Sequence, residues 1–153
     1  MDKTRGFEIA KGFENMEITM PERKTKYSAG YDVCAAEDCI IPPFKPGDKP
    51  TLVKTGLKAY MQDDEYLMLV NRSSNPGKKG LILANSVGIV DADYYENPDN
   101  DGHFMFAFFN TKAEPVEIKK GDAIGQAIFQ KFLTIDNDNA TGIREGGFGS
   151  TSK

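Results

Sequence analysis

The sequence of 153 residues holds no apolar run near the roughly 20 residues that a membrane-spanning helix needs, and Met1-Asp2-Lys3-Thr4-Arg5 leads into no signal-type apolar core. A soluble, cytoplasmic protein is expected. Basic excess is missing too, because 19 lysines and arginines stand against 23 aspartates and glutamates, for a net charge of -4. Non-specific nucleic-acid binding needs a broad cationic surface to displace phosphate counterions, so that class is disfavoured, while a small anionic ligand is not. Cysteine is sparse. Without an export signal, Cys34 and Cys39 read as reduced thiols with no catalytic role. Helical periodicity is almost absent, and in its best stretch, Ser74 to Lys79, Asn75-Pro76-Gly77 permits a turn or at most one helical turn. There is no internal repeat or low-complexity tract, and the length suits one domain with a real core.

What remains is a series of short apolar runs separated by turn residues, the pattern of strands. Met16, Ile18 and Met20 alternate with polar residues up to Pro21 and predict a strand. Others are expected within Tyr27–Ile41, at Thr51–Val53, Gly56–Tyr60 and Glu65–Val70, and in the apolar run Phe104–Phe109. Two more, Val116–Ile118 and Ala123–Phe129, flank the turn Lys119-Lys120-Gly121-Asp122. Many short strands with almost no helix indicate an all-β sandwich, barrel or jelly roll over residues 1–135. From Asp136 the composition shifts to Asn, Asp, Gly, Ser and Thr, with Ile143 and Phe148 the only large apolar residues, so residues 136–153 read as a flexible arm.

Five short motifs could carry chemistry. Ser28-Ala29-Gly30-Tyr31-Asp32 combines small residues with a carboxylate suited to hydrated Mg²⁺, or is a turn with a capping aspartate. Arg72-Ser73-Ser74, followed by Lys78 and Lys79, gathers cations and hydroxyls in a turn-forming stretch that suits phosphate oxygens, or is a solvated basic turn. In Asn85-Ser86-Val87-Gly88-Ile89-Val90-Asp91-Ala92-Asp93-Tyr94, Asp91 ends a β-branched run where partial burial would make it a useful base. The turn residues 85–88 there suggest a hairpin or tight loop, and the plain alternative is a hairpin whose aspartates face water. Gln126 interrupts an apolar strand and needs a partner for its amide, catalytic or merely structural. Arg144-Glu145-Gly146-Gly147-Phe148-Gly149-Ser150-Thr151 offers a flexible backbone, a flat ring and groups for anionic oxygens, which favours a lid over a linker.

In order and spacing these motifs resemble the trimeric dUTPase family from Met20-Pro21 to the C-terminus, with Gly-Ile-Val-Asp-Ala-Asp-Tyr and Gly-Gly-Phe-Gly-Ser-Thr nearly intact. The resemblance implies a β jelly roll (β-clip), a homotrimer with shared active sites, Mg²⁺, and hydrolysis of dUTP to dUMP and pyrophosphate. It implies that Asp91 activates a water against the α-phosphorus with Gln126 and Arg72 assisting, and that Ser73, Ser74 and Lys78 meet the phosphates. Asn85 and Gly88 would then read and wall the uracil, Tyr94 would pack on the deoxyribose, and Asp32 would hold Mg²⁺ through water. Phe148 would cover the base, and Arg144, Gly149, Ser150 and Thr151 would close on the far phosphates.

Several positions depart from the family's pattern. Residues 96–102 form an insertion that adds acidic charge and is a possible contact for a protein partner; Asn71 stands where proline is common, Asn75 and Pro76 replace small or apolar residues, Ala123 replaces a frequent arginine, and Arg144 lies one residue closer to the glycine unit. Two rivals follow. A dCTP deaminase of the same fold needs a carboxylic acid where this chain has Ala107, and a non-catalytic regulatory module would not need Asp91, Gln126 and the full arm.

Overall fold

The computed structural model describes residues 2–147. Ten strands form: β1 (Gly6–Ile9), β2 (Tyr31–Cys34), β3 (Cys39–Ile41), β4 (Thr51–Tyr60), β5 (Glu65–Asn71), β6 (Leu81–Leu83), β7 (Gly88–Asp91), β8 (Phe104–Asn110), β9 (Val116–Ile118) and β10 (Ala123–Lys131). A single π-type turn at Asn75–Lys79 and a 3-10 turn at Ala92–Tyr94 are the helical pieces among the described residues. Two four-stranded sheets, ordered β1-β4-β8-β6 and β2-β10-β5-β7, and the pair β3-β9 enclose the core. The expected all-β jelly-roll class is what forms.

Alternation drives the packing. Along β5, Glu65, Leu67 and Leu69 turn inward and Tyr66, Met68 and Val70 face outward, as the two-residue period of a strand dictates. Leu67, Leu57, Val33, Phe106, Phe108 and Ile124 are buried almost completely between the sheets. At Gly125 a Cβ would lie 2.2 Å from the ring of Phe106, so this glycine admits the aromatic into the core, and β10 shifts register between Ala123 and Gly125.

Three local expectations give way to tertiary structure. Residues 16–20 form no strand: Glu17 adopts a left-handed conformation (φ 52°), and Ile18 packs onto Gly56 and the core without a strand partner. The N-terminal strand is β1 instead, paired antiparallel to β4. The stretch 81–91 is a tight loop but not a hairpin, because β6 pairs with β8 in one sheet while β7 pairs with β5 in the other. The runs at 51–53 and 56–60 join into one strand, β4, with a bulge between Lys54 and Leu57.

That bulge frees two amides, and the sole histidine takes them. Nε2 of His103 accepts from Thr55 N at 3.3 Å and Gly56 N at 2.9 Å, while Thr55 Oγ1 donates to Phe104 O at 2.6 Å. Burial therefore holds the His103 pKa down, from an ordinary 6.5 to about 4. Above pH 6.5 the imidazole is neutral in both folded and unfolded chains; as pH falls from there, only the unfolded chain takes up the proton, so stability is lost down to about pH 4. The loss attributable to this group is about 3 kcal/mol. A proton-detected titration of the single imidazole should give a midpoint near 4, and a midpoint near the ordinary value would mean that the bulge amides are not held this way.

Candidate active site

The loop from β6 to β7 makes its turn with Ser86 in the left-handed region (φ 65°) and with Val87 N donating to Asn85 O at 2.7 Å. This brings Asn85 and the main chain of Gly88 to the rim of a cavity of about 170 Å³, walled also by Asp91, Tyr94, Phe104 and Met105. A Cβ on Gly88 would approach Leu69 Cβ at 3.0 Å, so the wall there is bare backbone lying close to β5. Tyr94 is buried, and its hydroxyl donates to His103 O at 2.8 Å while accepting from Asn100 Nδ2 at 2.8 Å. Burial raises the phenol's pKa, outweighing the opposite pull of the Asn100 hydrogen bond and of Arg144, so it stays protonated and neutral.

Asp91 closes β7 with its carboxylate 54% exposed, so the partial burial expected from its β-branched neighbours is not seen within one chain. Its partner is the arm. Arg144 donates through Nη2 to Asp91 at 2.7 Å and through Nε to Asp93 at 2.8 Å, and its guanidinium lies 5.7 Å from the centre of the Tyr94 ring. From 136 to 147 the arm contains no strand, and Ile143 is exposed, yet it is tied down here by Arg144 and at Gly147, whose N–H reaches Asp99 Oδ2 at 3.2 Å. Phe148, Gly149, Ser150 and Thr151 lie outside the described residues.

A second group collects at the other end of β5. Arg72, Ser73 and Ser74 leave that strand into the π-type turn that carries Lys78, and Arg72 Nη1 donates to Ala123 O at 3.3 Å. Gln126 pairs across the ladder with Asp32 on β2 and Val70 on β5. Gly30 makes room for it, since a Cβ there would stand 2.2 Å from Gln126 Oε1. Asp32 thus lies opposite Gln126, with β10 between it and β5, and among the described residues no group of three or more His, Cys, Asp or Glu side chains could cage a metal. One carboxylate suits an ion that keeps most of its waters and takes its remaining oxygens from a ligand, which fits Mg²⁺.

The two groups do not meet. Asp91 pairs with Tyr66 and Gln126 with Val70, four residues apart on β5, which at about 3.4 Å per residue is roughly 14 Å. Arg72 is farther still. One chain thus presents a base-sized cavity whose carboxylate, Asp91, stands toward one end of β5, and a cationic, hydroxyl-bearing loop at the other end.

The dUTPase family model matches residues 16–152. The chain belongs to the dUTPase family. The deoxyuridine 5'-triphosphate nucleotidohydrolase of Lactococcus lactis is 50% identical over 151 residues, covering 97% of this chain and 98% of that protein. The enzyme of the same name from Neisseria meningitidis is 33% identical over 146 residues, covering 90% and 91%. Among solved structures, the dUTPase from Streptococcus mutans superposes with a TM-score of 0.80 at 43% identity, covering 86% of this chain and 99% of that one. A mutant dUTPase from phage phi11 of S. aureus, described with a structural Mg(II) ion, shares the fold at a TM-score of 0.70 and 18% identity, covering 92% and 99%. This chain is accordingly an enzyme, and dUTP hydrolysis is its reaction.

In this dUTPase two residues first noticed only as departures prove to organise the phosphate-suited loop. Asn75, 2% exposed, donates through Nδ2 to Asn71 Oδ1 at 2.7 Å and to Ile124 O at 3.0 Å, and Asn71 Nδ2 donates to Leu81 O at 2.9 Å. The spacing of four was the available signal, but the partner on β10 is visible only in the fold. Asn75→Ala removes both bonds from the interior, which should lower stability by about 1–3 kcal/mol. Thermal unfolding would read that loss, and KM for dUTP should rise as the loop loosens; an unchanged midpoint would show the amide to be dispensable.

Proposed function

We propose that this chain hydrolyses dUTP to dUMP and pyrophosphate at sites built from more than one copy of itself, with Asp91 as the base that orients water against the α-phosphorus. The roughly 14 Å along β5 between Asp91 and Gln126 carries this reading, because a base and its helper must reach one water at hydrogen-bond range. A neighbouring copy supplies the missing half. The exposed residues Phe132, Leu133 and Ile135, where the chain leaves β10, give such copies an apolar surface to share, in keeping with a homotrimer.

Within the composite site, Asn85 and the bare backbone at Gly88 read the uracil edge, and the close wall leaves no room for a thymine methyl. The Tyr94 ring packs on the sugar face and excludes a ribose hydroxyl. Ser73, Ser74, Arg72 and Lys78 hold the phosphates, Gln126 steadies the attacking water, and Phe148, Gly149, Ser150 and Thr151 close over the nucleotide. Arg144, now on Asp91 and Asp93, exchanges those carboxylates for phosphate oxygens, which leaves Asp91 free to accept a proton. Asp32 would hold Mg²⁺ through water, and the ion would supply neutralisation of triphosphate charge. Catalysis is then positioning and charge compensation. The deaminase alternative gains nothing from the fold, for Ala107 is buried in β8 with its carbonyl taken by Ala84 N.

Purified chain should release pyrophosphate and dUMP from dUTP and leave dCTP, dTTP and UTP almost untouched. Equal turnover of dTTP, or ammonia from dCTP, would refute the assignment. Asp91→Asn should lower kcat by roughly 10² to 10⁴ with the fold intact. Mixing inactive Asp91→Asn with inactive Arg72→Ala chains after unfolding and refolding together should restore part of the activity, since some sites then draw their intact halves from different copies. No recovery from a mixture shown to have exchanged subunits would rule out shared sites.

A further inference from the structure

Residues 96–102 are a built loop and not a free excursion. The Asn97 side chain closes it, its Nδ2 donating to Tyr94 O at 2.8 Å and its Oδ1 accepting from Asp99 N at 3.0 Å and Asn100 N at 3.1 Å. Lys58 Nζ bridges Glu96 at 2.8 Å and Asp101 at 2.9 Å, so the loop's two ends are fastened to β4. Asn100 is the residue of the loop that meets Tyr94, a wall residue of the cavity. Its Oδ1 accepts from Asn97 Nδ2 at 2.8 Å and Gly102 N at 3.1 Å, and a carbonyl oxygen so engaged leaves only Nδ2 to point at Tyr94. The amide cannot flip without losing both bonds.

Nδ2 of Asn100 donates to the Tyr94 hydroxyl, which in turn donates to His103 O, so the phenol's proton and one lone pair are both committed and the ring is held in one orientation. The same amide meets the arm. Gly147 is buried against it: a Cβ there would stand 2.6 Å from Asn100 Nδ2, 2.8 Å from Cγ and 3.0 Å from Oδ1. Only glycine lies this flat on the amide, and the Gly147 N–H is received by Asp99 Oδ2.

We infer that Asn100 is a positioning residue for dUTP hydrolysis, seating the arm at Gly147 on one side while fixing the Tyr94 ring on the other, with Asp99 as the arm's second anchor. This rests on the reading of Tyr94 as the sugar wall and of the arm as a lid. The loop then joins two steps that would otherwise be independent, rejection of the ribonucleotide and closure over the nucleotide.

The chain has no tryptophan, so Phe148→Trp supplies a single reporter for closure on a non-hydrolysable dUTP analogue. In that background Asn100→Ala should weaken analogue binding about tenfold and lower the preference for dUTP over UTP by a similar factor. Asp99→Ala removes the carboxylate that receives the Gly147 N–H and no hydrogen bond to Tyr94, so it should weaken analogue binding about threefold and leave the preference unchanged. Gly147→Ala should cost about tenfold in analogue binding, and combined with Asn100→Ala the two losses should not multiply, because both act at one contact. An Asn100→Ala protein with a lower unfolding temperature but with binding and preference within about twofold of the parent would show that the loop is structural only. Multiplying losses in the double variant would overturn the shared contact. A parent chain that fails to turn over dUTP would refute the functional reading itself, whereas an active parent with unaffected variants would refute the loop's role alone.

Discussion

Strand β5 is the ruler of this molecule. Its antiparallel ladders to β7 on one edge and to β10 on the other fix where a base-sized cavity and a phosphate-suited loop can stand. Neither ladder can slip by one residue, because the shift would turn Leu67 and Leu69 out of the core and Tyr66 and Met68 into it. The separation of the two half-sites is therefore as fixed as the hydrophobic core. On the proposed reading, a chemistry that needs both halves at one phosphorus atom is met by association and not by bending the chain.

Much of this was legible in the residues. Short apolar runs marked β5, β8, β9 and β10 because each buries one face or both, and the punctuation between them named the turns. Where alternation misled, at Met16, Ile18 and Met20, the cause was a left-handed Glu17 that a pattern of side-chain types cannot reveal. Loop 81–91 misled for another reason: a turn signal says that the chain reverses, not which sheet each flank will join. The motif from Asn85 to Tyr94 did collect around one cavity, while its separation from Gln126 and Arg72 had no signal in the sequence, since register is a property of the folded sheet. Asn71 and Asn75 were visible as oddities, but their meaning depends on the Ile124 carbonyl arriving from a strand about fifty residues later.

Electrostatics gives the site its economy. A chain of net charge -4 that handles a triphosphate must place its cations well, and the Arg144 side chain, 10% exposed, is kept between Asp91, Asp93 and the face of Tyr94 instead of being left in water. The carboxylates are themselves more than half exposed, so these pairs are worth little in stability. His103 shows the opposite arrangement. It is buried, neutral and committed to two backbone amides, a polar group serving geometry and no proton transfer.

Leu133 is 96% exposed and Ile135 79% exposed, immediately beyond the last strand. Both follow β10 on a stretch that forms no strand, so a lone chain presents them to water. If copies associate through this patch as proposed, the same apolar side chains are open, before they are covered, to any other exposed hydrophobic surface nearby. Assembly and aggregation then start from one patch, and the abundance of correctly paired copies decides which prevails.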